Sequence, residues 1–263
     1  MIIFPDIDPV IISFGPLAIS WYSLSYVAGI LLGWVCANKL LALSAGDISK
    51  KNIEDFITWL IIGVIIGGRL GHVIFYDPAK YLADPLEILK TYEGGMSFHG
   101  GIIGASFASY LFCKKYNLKV LALGDLISST APIGLALGRV ANFINAELYG
   151  KPSDVPWAVV FPLTDGLPRH PSQIYEALLE GLVLFLIMQY FAYKHHLLKR
   201  PGMMSGLFLV LYSMFRIFIE FFKAPENDYN VITSYFTMGQ LLCLPMILLG
   251  TYLIINACLK NKP

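Results

Sequence analysis

Long apolar runs alternate with short polar segments along almost the whole chain. A helix needs about 20 predominantly apolar residues to cross the hydrocarbon layer of a bilayer. By this measure the pattern predicts seven transmembrane helices, at approximately 18–41, 54–76, 98–115, 121–142, 172–195, 202–222 and 236–259. We therefore interpret the sequence as an all-α polytopic membrane protein that forms a single integral membrane domain over residues 1–263.

The composition agrees with this interpretation and excludes other classes. Of the 263 residues, 56% are hydrophobic and only 14% are charged, and the mean hydropathy of +0.64 exceeds that of soluble globular domains. A net charge of +1 does not indicate the basic patch of a nucleic-acid-binding protein. The four cysteines lie in apolar runs, without the spacing of a metal site or a disulfide framework. We expect no cofactor, no metal and no nucleic-acid partner.

Basic residues are distributed unequally between the two sides of the predicted membrane domain. Eleven lie on one side, at Lys39, Lys50, Lys51, Lys114, Lys115, Lys119, Lys194, Lys199, Arg200, Lys260 and Lys262. Five lie on the other, at Lys80, Lys90, Lys151, Arg169 and Lys223. Because cytoplasmic loops carry the excess of lysine and arginine, the N-terminus is predicted outside and the C-terminus in the cytoplasm. An outer arm at about 77–97 and an outer head loop at about 143–171 then face outward.

A polar cluster at the outer end of the fourth predicted span is the strongest indication of function. The stretch GRVANFINAELYG contains Arg139, Asn142, Glu147 and Gly150. An arginine at membrane depth costs about 2.5–3.5 kcal/mol on the insertion scale, so it needs a partner. Arg139 and Arg216 together could hold an anionic headgroup, because guanidinium groups form forked hydrogen bonds to phosphate.

Ion pairs within the protein are an alternative explanation for the same charges. Glu176 and Glu180 are one helical turn apart, and such carboxylates could compensate the arginines without any ligand. On the sixth predicted span a single stripe at i, i+4 and i+8 contains Tyr212, Arg216 and Glu220, with Lys223 near its outer end. A polar helix–helix interface is the second interpretation of this stripe. For Arg69, in GGRLG, a structural and a functional role are equally supported.

Two histidines and one aspartate receive different interpretations. His99, in GGMSFHGGIIGA, is a candidate general base because an imidazole titrates near neutrality; a hydrogen bond at the membrane interface is the alternative. His170, in HPSQIYE, is interpreted as structural, holding the head loop against the following helix. Asp125, near the cytoplasmic end of the fourth span, is expected to have an interfacial or capping role.

An ordered set of motifs resembles the prolipoprotein diacylglyceryl transferase family. The motifs are WYSLSY (21–26), GGRLGHVIFY (67–76), GGMSFHGG (94–101), GRVANFINAELYG (138–150), LPRHPSQIYEALLEG (167–181) and FRIFIEFFKAPE (215–226). They extend over nearly the whole chain. The predicted topology, seven spans with the N-terminus outside, is similar to that of the family.

The resemblance implies a reaction and a location. A member of this family moves the diacylglyceryl group of phosphatidylglycerol to the thiol of the lipobox cysteine in a preprolipoprotein signal peptide. The products are a thioether and glycerol phosphate, and the reaction is the first step of bacterial lipoprotein maturation. The enzyme would lie in the bacterial cytoplasmic (inner) membrane with its active site facing the outer leaflet. Its partners would be phosphatidylglycerol, the precursor and the lipid bilayer.

The resemblance also assigns roles to matching positions. His99 would be the base for the thiol, and Arg139 and Arg216 would stabilise the leaving phosphate. The phosphatidylglycerol site would contain Arg139, Asn142, Glu147, Gly150, Tyr22, Tyr26, Tyr212, Glu220 and Lys223. A carboxylate or the substrate phosphate is the alternative to His99 as the base. A transporter or receptor for an anionic lipid is the second hypothesis, although no internal repeat supports it; a CDP-alcohol phosphotransferase lacks the aspartate cluster it would need.

Overall fold

A computed structural model describes residues 2–5, 7–14, 17–45, 48–91, 94–162, 164–224 and 237–260. The described helices are α1 (Trp21–Leu40), α2 (Lys50–Phe75), α3 (Pro78–Ala83), α4 (Phe98–Tyr116), α5 (Val120–Ile144), α6 (Ser172–Glu176), α7 (Leu184–Lys194), α8 (Met203–Glu220) and α9 (Met238–Lys260). The described strands are β1 (Ile2–Ile3), β2 (Val10–Phe14), β3 (Leu17–Ser20), β4 (Val159–Val160) and β5 (Pro168–Arg169). A π-helical segment, Ala177–Val183, joins α6 to α7 without a break.

Six of the described helices are long and apolar enough to cross a bilayer. They are Trp21–Leu43, Lys50–Phe75, Val120–Ile144, Ser172–Lys194, Met203–Glu220 and Met238–Lys260, and they coincide with six of the seven predicted spans. The chain is therefore a multi-pass membrane protein. The remaining predicted span, 98–115, is the 19-residue helix α4, whose glycines, serines and two terminal lysines make it less apolar. The seven-span count stays a prediction, and the predicted start at 236 lies outside the described residues.

The first predicted span begins later than its apolar run suggests. The apolar residues before Trp21 form β3, which pairs antiparallel with β2. The helix begins only after Ser20, which forms a capping box with Ser23. Such a box satisfies two backbone groups at a helix start, and it therefore fixes where α1 begins. An apolar run alone does not distinguish a strand from a helix at this position.

The chain forms two compact units, and the second is Gly46–Leu123. Its main contact is between α2 and α4, and glycines make this contact close. A Cβ on Gly71 would lie 2.8 Å from the Gly100 Cα, and one on Gly67 would lie 2.6 Å from the Gly104 Cα. Small residues spaced in this way allow helix backbones to approach each other in a membrane.

Arg69 has a structural role in this second unit. The side chain is only 5% exposed. Its guanidinium group donates to the carbonyl oxygens of Ile88 at 2.9 Å, Gly94 at 2.7 Å and Glu87 at 2.6 Å, with longer bonds to Gly95 and Lys90. These bonds fasten the outer arm to α2 and satisfy the buried charge without a ligand. Of the two interpretations of Arg69, the contacts favour the structural one.

The first unit comprises Met1–Ala45 and Gly124–Pro263. Within it, Asp125 of α5 is fully buried and accepts hydrogen bonds of 2.7 Å from the backbone N–H of Gly202 and Ser205 and from the Ser205 hydroxyl. The predicted capping role is confirmed, since the carboxylate caps the first turn of α8. Because α5 carries Arg139 and α8 carries Arg216, this cap also ties together the two helices of the candidate site.

We expect Asp125→Ala to lower the free energy of unfolding by about 0.5–2 kcal/mol, the range for losing a helix N-cap. The measurement is chemical unfolding of purified protein in detergent. Asp125→Asn, which keeps one carbonyl acceptor, should lose less. Equal stability of the alanine variant and the wild type would show that the cap contributes nothing.

Candidate functional site

Two buried carboxylates on one helix organise the candidate site. Glu176 and Glu180 are both 0% exposed. Glu176 ends α6, and Glu180 lies in the π-helical segment, a form that often occurs at functional sites. Gly181 follows at a close helix contact, where a Cβ would lie 2.7 Å from the backbone of α5. Glu176 and Glu180 therefore lie against α5 and α8, and position 181 beside them has no room for a residue larger than glycine.

Three cationic side chains converge on Glu176. Its Oε1 accepts a hydrogen bond from Arg216 Nη1, and the Nζ of Lys223 lies 3.8 Å from the same oxygen. Its Oε2 lies 3.4 Å from Arg139 Nε. Arg139 and Arg216 are therefore directed at one carboxylate from two different helices. The guanidinium groups of α5 and α8 consequently lie close together.

Arg216 has two further acidic neighbours. Its Nε lies 3.3 Å from Glu220 Oε2, one helical turn away, and its Nη1 lies 3.8 Å from Glu180 Oε1. The i, i+4 pair predicted from the α8 stripe is thus present. Among the described residues, neither oxygen of Glu180 accepts a hydrogen bond. This carboxyl group is therefore the least satisfied member of the cluster, and burial makes such a group costly.

Among the described residues, the formal charges of the cluster balance. The cations Arg139, Arg216 and Lys223 face the acids Glu176, Glu180 and Glu220. Arg139 makes the longer of the two arginine contacts to Glu176, and 19% of its side chain is exposed. An arriving anion can therefore reach Arg139 and compete with a carboxylate that is already bound.

A chain of amide hydrogen bonds extends the cluster to the surface. Arg139 Nη1 donates to Asn142 Oδ1 at 3.3 Å, and Asn142 Nδ2 donates to Glu147 Oε1 at 2.7 Å. Asn145 Nδ2 reaches the same oxygen at 3.2 Å. Glu147 is exposed, and the buried Gln173 holds its backbone carbonyl at 2.6 Å. The helix continues to Ile144, two residues beyond the predicted end, so Arg139 and Asn142 lie on one helical face.

Gly150 of the head loop lies beside Lys223, which follows α8, in the backbone. They form an isolated antiparallel bridge. A Cβ on Gly150 would lie 2.6 Å from the carbonyl oxygens of His170 and Phe222, so glycine is required here for close packing. The Nδ1 of His170 and the hydroxyl group of Tyr175 form a 3.0 Å hydrogen bond. This contact agrees with its predicted structural role, and burial lowers the pKa of its imidazole.

The predicted tyrosines lie in the same unit. Tyr22 and Tyr26 of α1 place their hydroxyl groups 3.1 Å apart, and Tyr22 interacts electrostatically with Glu147 and Arg139. Tyr212 of α8 interacts electrostatically with several members of the cluster, Arg216 and Arg139 among them. All predicted site residues except His99 therefore belong to the first unit.

His99 belongs to the second unit. It lies in the first turn of α4, one residue after Phe98, and it is exposed. Ser97 caps this helix by accepting the Gly100 N–H at 3.3 Å. The structure thus assigns His99 to a helix start, and its role as base stays a prediction.

The site contains one member that the sequence analysis did not consider, Gln173, and one that it named only as an alternative ion-pair partner, Glu176. Glu176 is the common partner of both arginines, and Gln173 holds the Glu147 carbonyl. They are three residues apart in SQIYE, on one face of a helix. Two polar residues with this spacing at the start of an apolar run were the available signal.

A family comparison decides the membership of the chain. The family model described as prolipoprotein diacylglyceryl transferase matches residues 9–256.

The chain belongs to this family. Similar relatives are named phosphatidylglycerol–prolipoprotein diacylglyceryl transferase. The one from Rickettsia felis is 57% identical over 251 residues, which are 95% of this chain and 97% of the relative. The one from Rickettsia canadensis is 55% identical over 258 residues, which are 98% of this chain and 100% of the relative. The relation to prolipoprotein diacylglyceryl transferases therefore extends over both units.

Proposed function

We propose that this chain transfers the diacylglyceryl group of phosphatidylglycerol to the cysteine thiol of a prolipoprotein, the first step of bacterial lipoprotein maturation. The observation that carries the proposal for the site is the convergence of Arg139 and Arg216 on Glu176. Two guanidinium groups directed at one buried carboxylate are also close enough together to bind one phosphate, by their positive charge and by forked hydrogen bonds. The family membership supports the reaction itself.

The reaction requires a base, a nucleophile and stabilisation of a leaving anion. A base takes the thiol proton, and the thiolate sulfur attacks the glycerol carbon that bears the phosphate. The carbon–sulfur bond forms while the carbon–oxygen bond to the phosphate breaks. The electron pair of the broken bond stays on the phosphate oxygen, and glycerol phosphate leaves. Negative charge therefore grows on the phosphate during the step.

Arg139 and Arg216 are suited to this growing charge. Fixed hydrogen-bond donors in a site with little water act strongly on charge that develops in a transition state. The arginines are already held by Glu176, so their positions need little rearrangement. When the phosphate binds, the longer Arg139 contact to Glu176 at 3.4 Å is the one that we expect to open.

The neighbouring polar groups would position the rest of the headgroup. Glu147 is exposed and linked to Arg139 through Asn142, so its carboxylate can accept hydrogen bonds from the terminal glycerol hydroxyls. Tyr22 and Tyr26 offer two adjacent hydroxyl groups on α1. Gly150, Tyr212, Glu220 and Lys223 would shape the site around them.

We propose a topology of seven spans, with α4 as the additional one, the N-terminus outside and the C-terminus in the cytoplasm. The excess of basic residues on the loops predicted inside supports this orientation. The outer arm and the head loop would be insertions in one integral membrane domain. Arg139 lies near the end of α5 that leads into the head loop, so the site would face the outer leaflet of the bacterial inner membrane.

His99→Asn tests the proposed base. If His99 removes the thiol proton, the variant should lose most activity at pH 7 and recover as the pH rises, because a free thiol ionises near a pKa of about 8.5. The measurement is the pH profile of kcat/KM from pH 6 to 9. His196→Asn is the matched control, since His196 is exposed in a basic loop with a φ of 50° that asparagine accepts. A flat profile for His99→Asn would assign the proton to another group, such as a carboxylate.

The reaction itself is tested with purified protein, phosphatidylglycerol and a lipobox peptide. A diacylglyceryl mass gain on the peptide, matched by release of glycerol phosphate, is the expected result. The second candidate function is binding or transport of an anionic lipid, which the same arginines would also serve. Saturable phosphatidylglycerol binding without thioether formation, where a Rickettsia relative is active, would favour that alternative.

A further inference from the structure

A cavity of about 820 Å³ opens beside the candidate site in the first unit. We call it the head pocket. It is lined by Ile3, Phe4, Ile7, Pro9, Ile144, Asn145, Ala146, Glu147, Leu148, Tyr149, Val160, Phe161, Pro162 and Ala224. Of these residues only Ile144, the last of α5, belongs to a helix that could span the membrane. The head pocket therefore lies beyond the end of α5, where the head loop meets the N-terminal segment that contains β1.

Apolar and aromatic side chains form most of the head pocket. Phe4 and Phe161 pack with ring centroids 5.5 Å apart, and Phe161 stacks on Tyr149 at 5.4 Å. The polar exceptions include Asn145 and Glu147, which are joined by a 3.2 Å hydrogen bond. Glu147 also accepts a hydrogen bond from Asn142, which in turn accepts one from Arg139. This polar side of the pocket is therefore continuous with the proposed phosphate site at Arg139 and Arg216.

A strand edge borders the head pocket. In the part of the chain that the structure describes, the sheet has the order β1-β4-β5, so β1 lies at its edge. Backbone bonds from Ile2 N–H to Ala158 at 2.8 Å and from Phe4 N–H to Val160 at 3.1 Å join β1 to β4. The intervening Ile3 therefore directs its backbone groups away from β4, and the residue is 81% exposed. Such an edge accepts an extended peptide as a further strand.

We propose that the head pocket binds the apolar residues that adjoin the reactive cysteine in the prolipoprotein signal peptide, with the peptide extended along β1. This inference rests on the proposed function. Signal peptides carry an apolar stretch followed by small residues at the cleavage site. The volume lies within the range of about 300–1,000 Å³ that is typical of ligand pockets.

The position of the pocket distinguishes a peptide from an acyl chain. Acyl chains stay in the hydrocarbon layer, at the depth of the spanning helices. The walls of the head pocket belong instead to the head loop and to the N-terminal segment, beyond the end of α5. A peptide that lies in the pocket would end at Glu147, beside the headgroup site. Its cysteine thiol would then be next to the carbon that bears the phosphate.

Ile3→Asp tests the proposal by two-substrate kinetics. The side chain is exposed, so the substitution adds a charge to the pocket wall with little effect on folding. We expect the KM for the lipobox peptide to rise at least about tenfold, because an apolar contact is lost, while the KM for phosphatidylglycerol stays unchanged. Ile12→Asp is the matched control, since Ile12 lies on another strand, β2, is 45% exposed and is outside the pocket lining; it should leave both constants unchanged.

Other outcomes contradict the inference in distinguishable ways. A higher KM for phosphatidylglycerol alone would make the cavity a lipid site, and no change in either constant would leave it without a role in substrate binding. Absence of product from the wild type would instead contradict the proposed function itself.

A second measurement does not depend on the folding of a variant. A lipobox peptide with a photoreactive leucine next to its cysteine is irradiated with the wild-type protein in detergent. Crosslinks to 144–149 or 160–162 are expected. Crosslinks confined to the apolar faces of α7 or α9 would overturn the proposal.

Discussion

Replacing Arg139 by lysine is expected to lower kcat/KM for diacylglyceryl transfer by about 100-fold to 1,000-fold, the usual effect of losing one fixed donor to a transition-state anion. Lysine keeps the positive charge next to Glu176, so the variant should still insert and fold. It loses the planar fork, however, which lets arginine hold a phosphate and the Asn142 oxygen at the same time. The effect should therefore appear in turnover more than in protein yield.

The experiment compares purified Arg139→Lys and wild type by the rate of glycerol phosphate release at several phosphatidylglycerol concentrations. Arg200→Lys is the matched control, because Arg200 is an exposed loop residue outside the charged cluster. Its activity should equal that of the wild type. Turnover of Arg139→Lys within a few-fold of wild type would remove Arg139 from the phosphate site.

Replacing Glu176 by alanine is expected to lower the free energy of unfolding by about 3–5 kcal/mol, the range for breaking a buried ion pair by removing one partner. Glu176 is fully buried and is the common neighbour of Arg139, Arg216 and Lys223. Without it, two guanidinium groups keep their charge in an environment with little water. Glu176→Gln retains the shape and one acceptor, so it should lose less.

The measurement is unfolding of each variant in detergent, monitored by the loss of helical signal. Asp165→Ala provides a control, since its ion pair with Arg169 is at the surface, with 45% of the Asp165 side chain exposed. Removing that pair should cost about 0–1 kcal/mol. A Glu176→Ala protein as stable as the control would show that the arginines find other partners and that Glu176 does not organise the site.

The membrane helices could be predicted from the sequence because each is a long apolar run. Six predicted spans coincide with apolar helices to within a few residues. The less apolar α4 and the strand β3 show where the pattern fails. Length and hydropathy do not reveal the capping box at Ser20, which decides where α1 begins. In α4 the many glycines lower the hydropathy of the helix, although they allow it to pack closely against α2.

The candidate site could be predicted only in part. Local spacing revealed the Arg216–Glu220 pair and the common face of Arg139 and Asn142. Spacing could not show that Glu176 joins the arginines of two helices, since this contact depends on tertiary packing. The same holds for Arg69, whose partners are backbone carbonyls of the outer arm. The sequence contains no sign of which carbonyls will face a buried arginine.

The phosphate of phosphatidylglycerol is proposed to lie between Arg139 and Arg216. Solid-state NMR tests it directly, by measuring dipolar coupling between the lipid phosphorus and ¹³C-labelled guanidinium carbons in the membrane-embedded protein. Coupling at contact distance is expected in the wild type, and it should be lost in the double variant Arg139→Lys/Arg216→Lys. Coupling that is absent from the wild type, or that persists unchanged in the double variant, would contradict the claim.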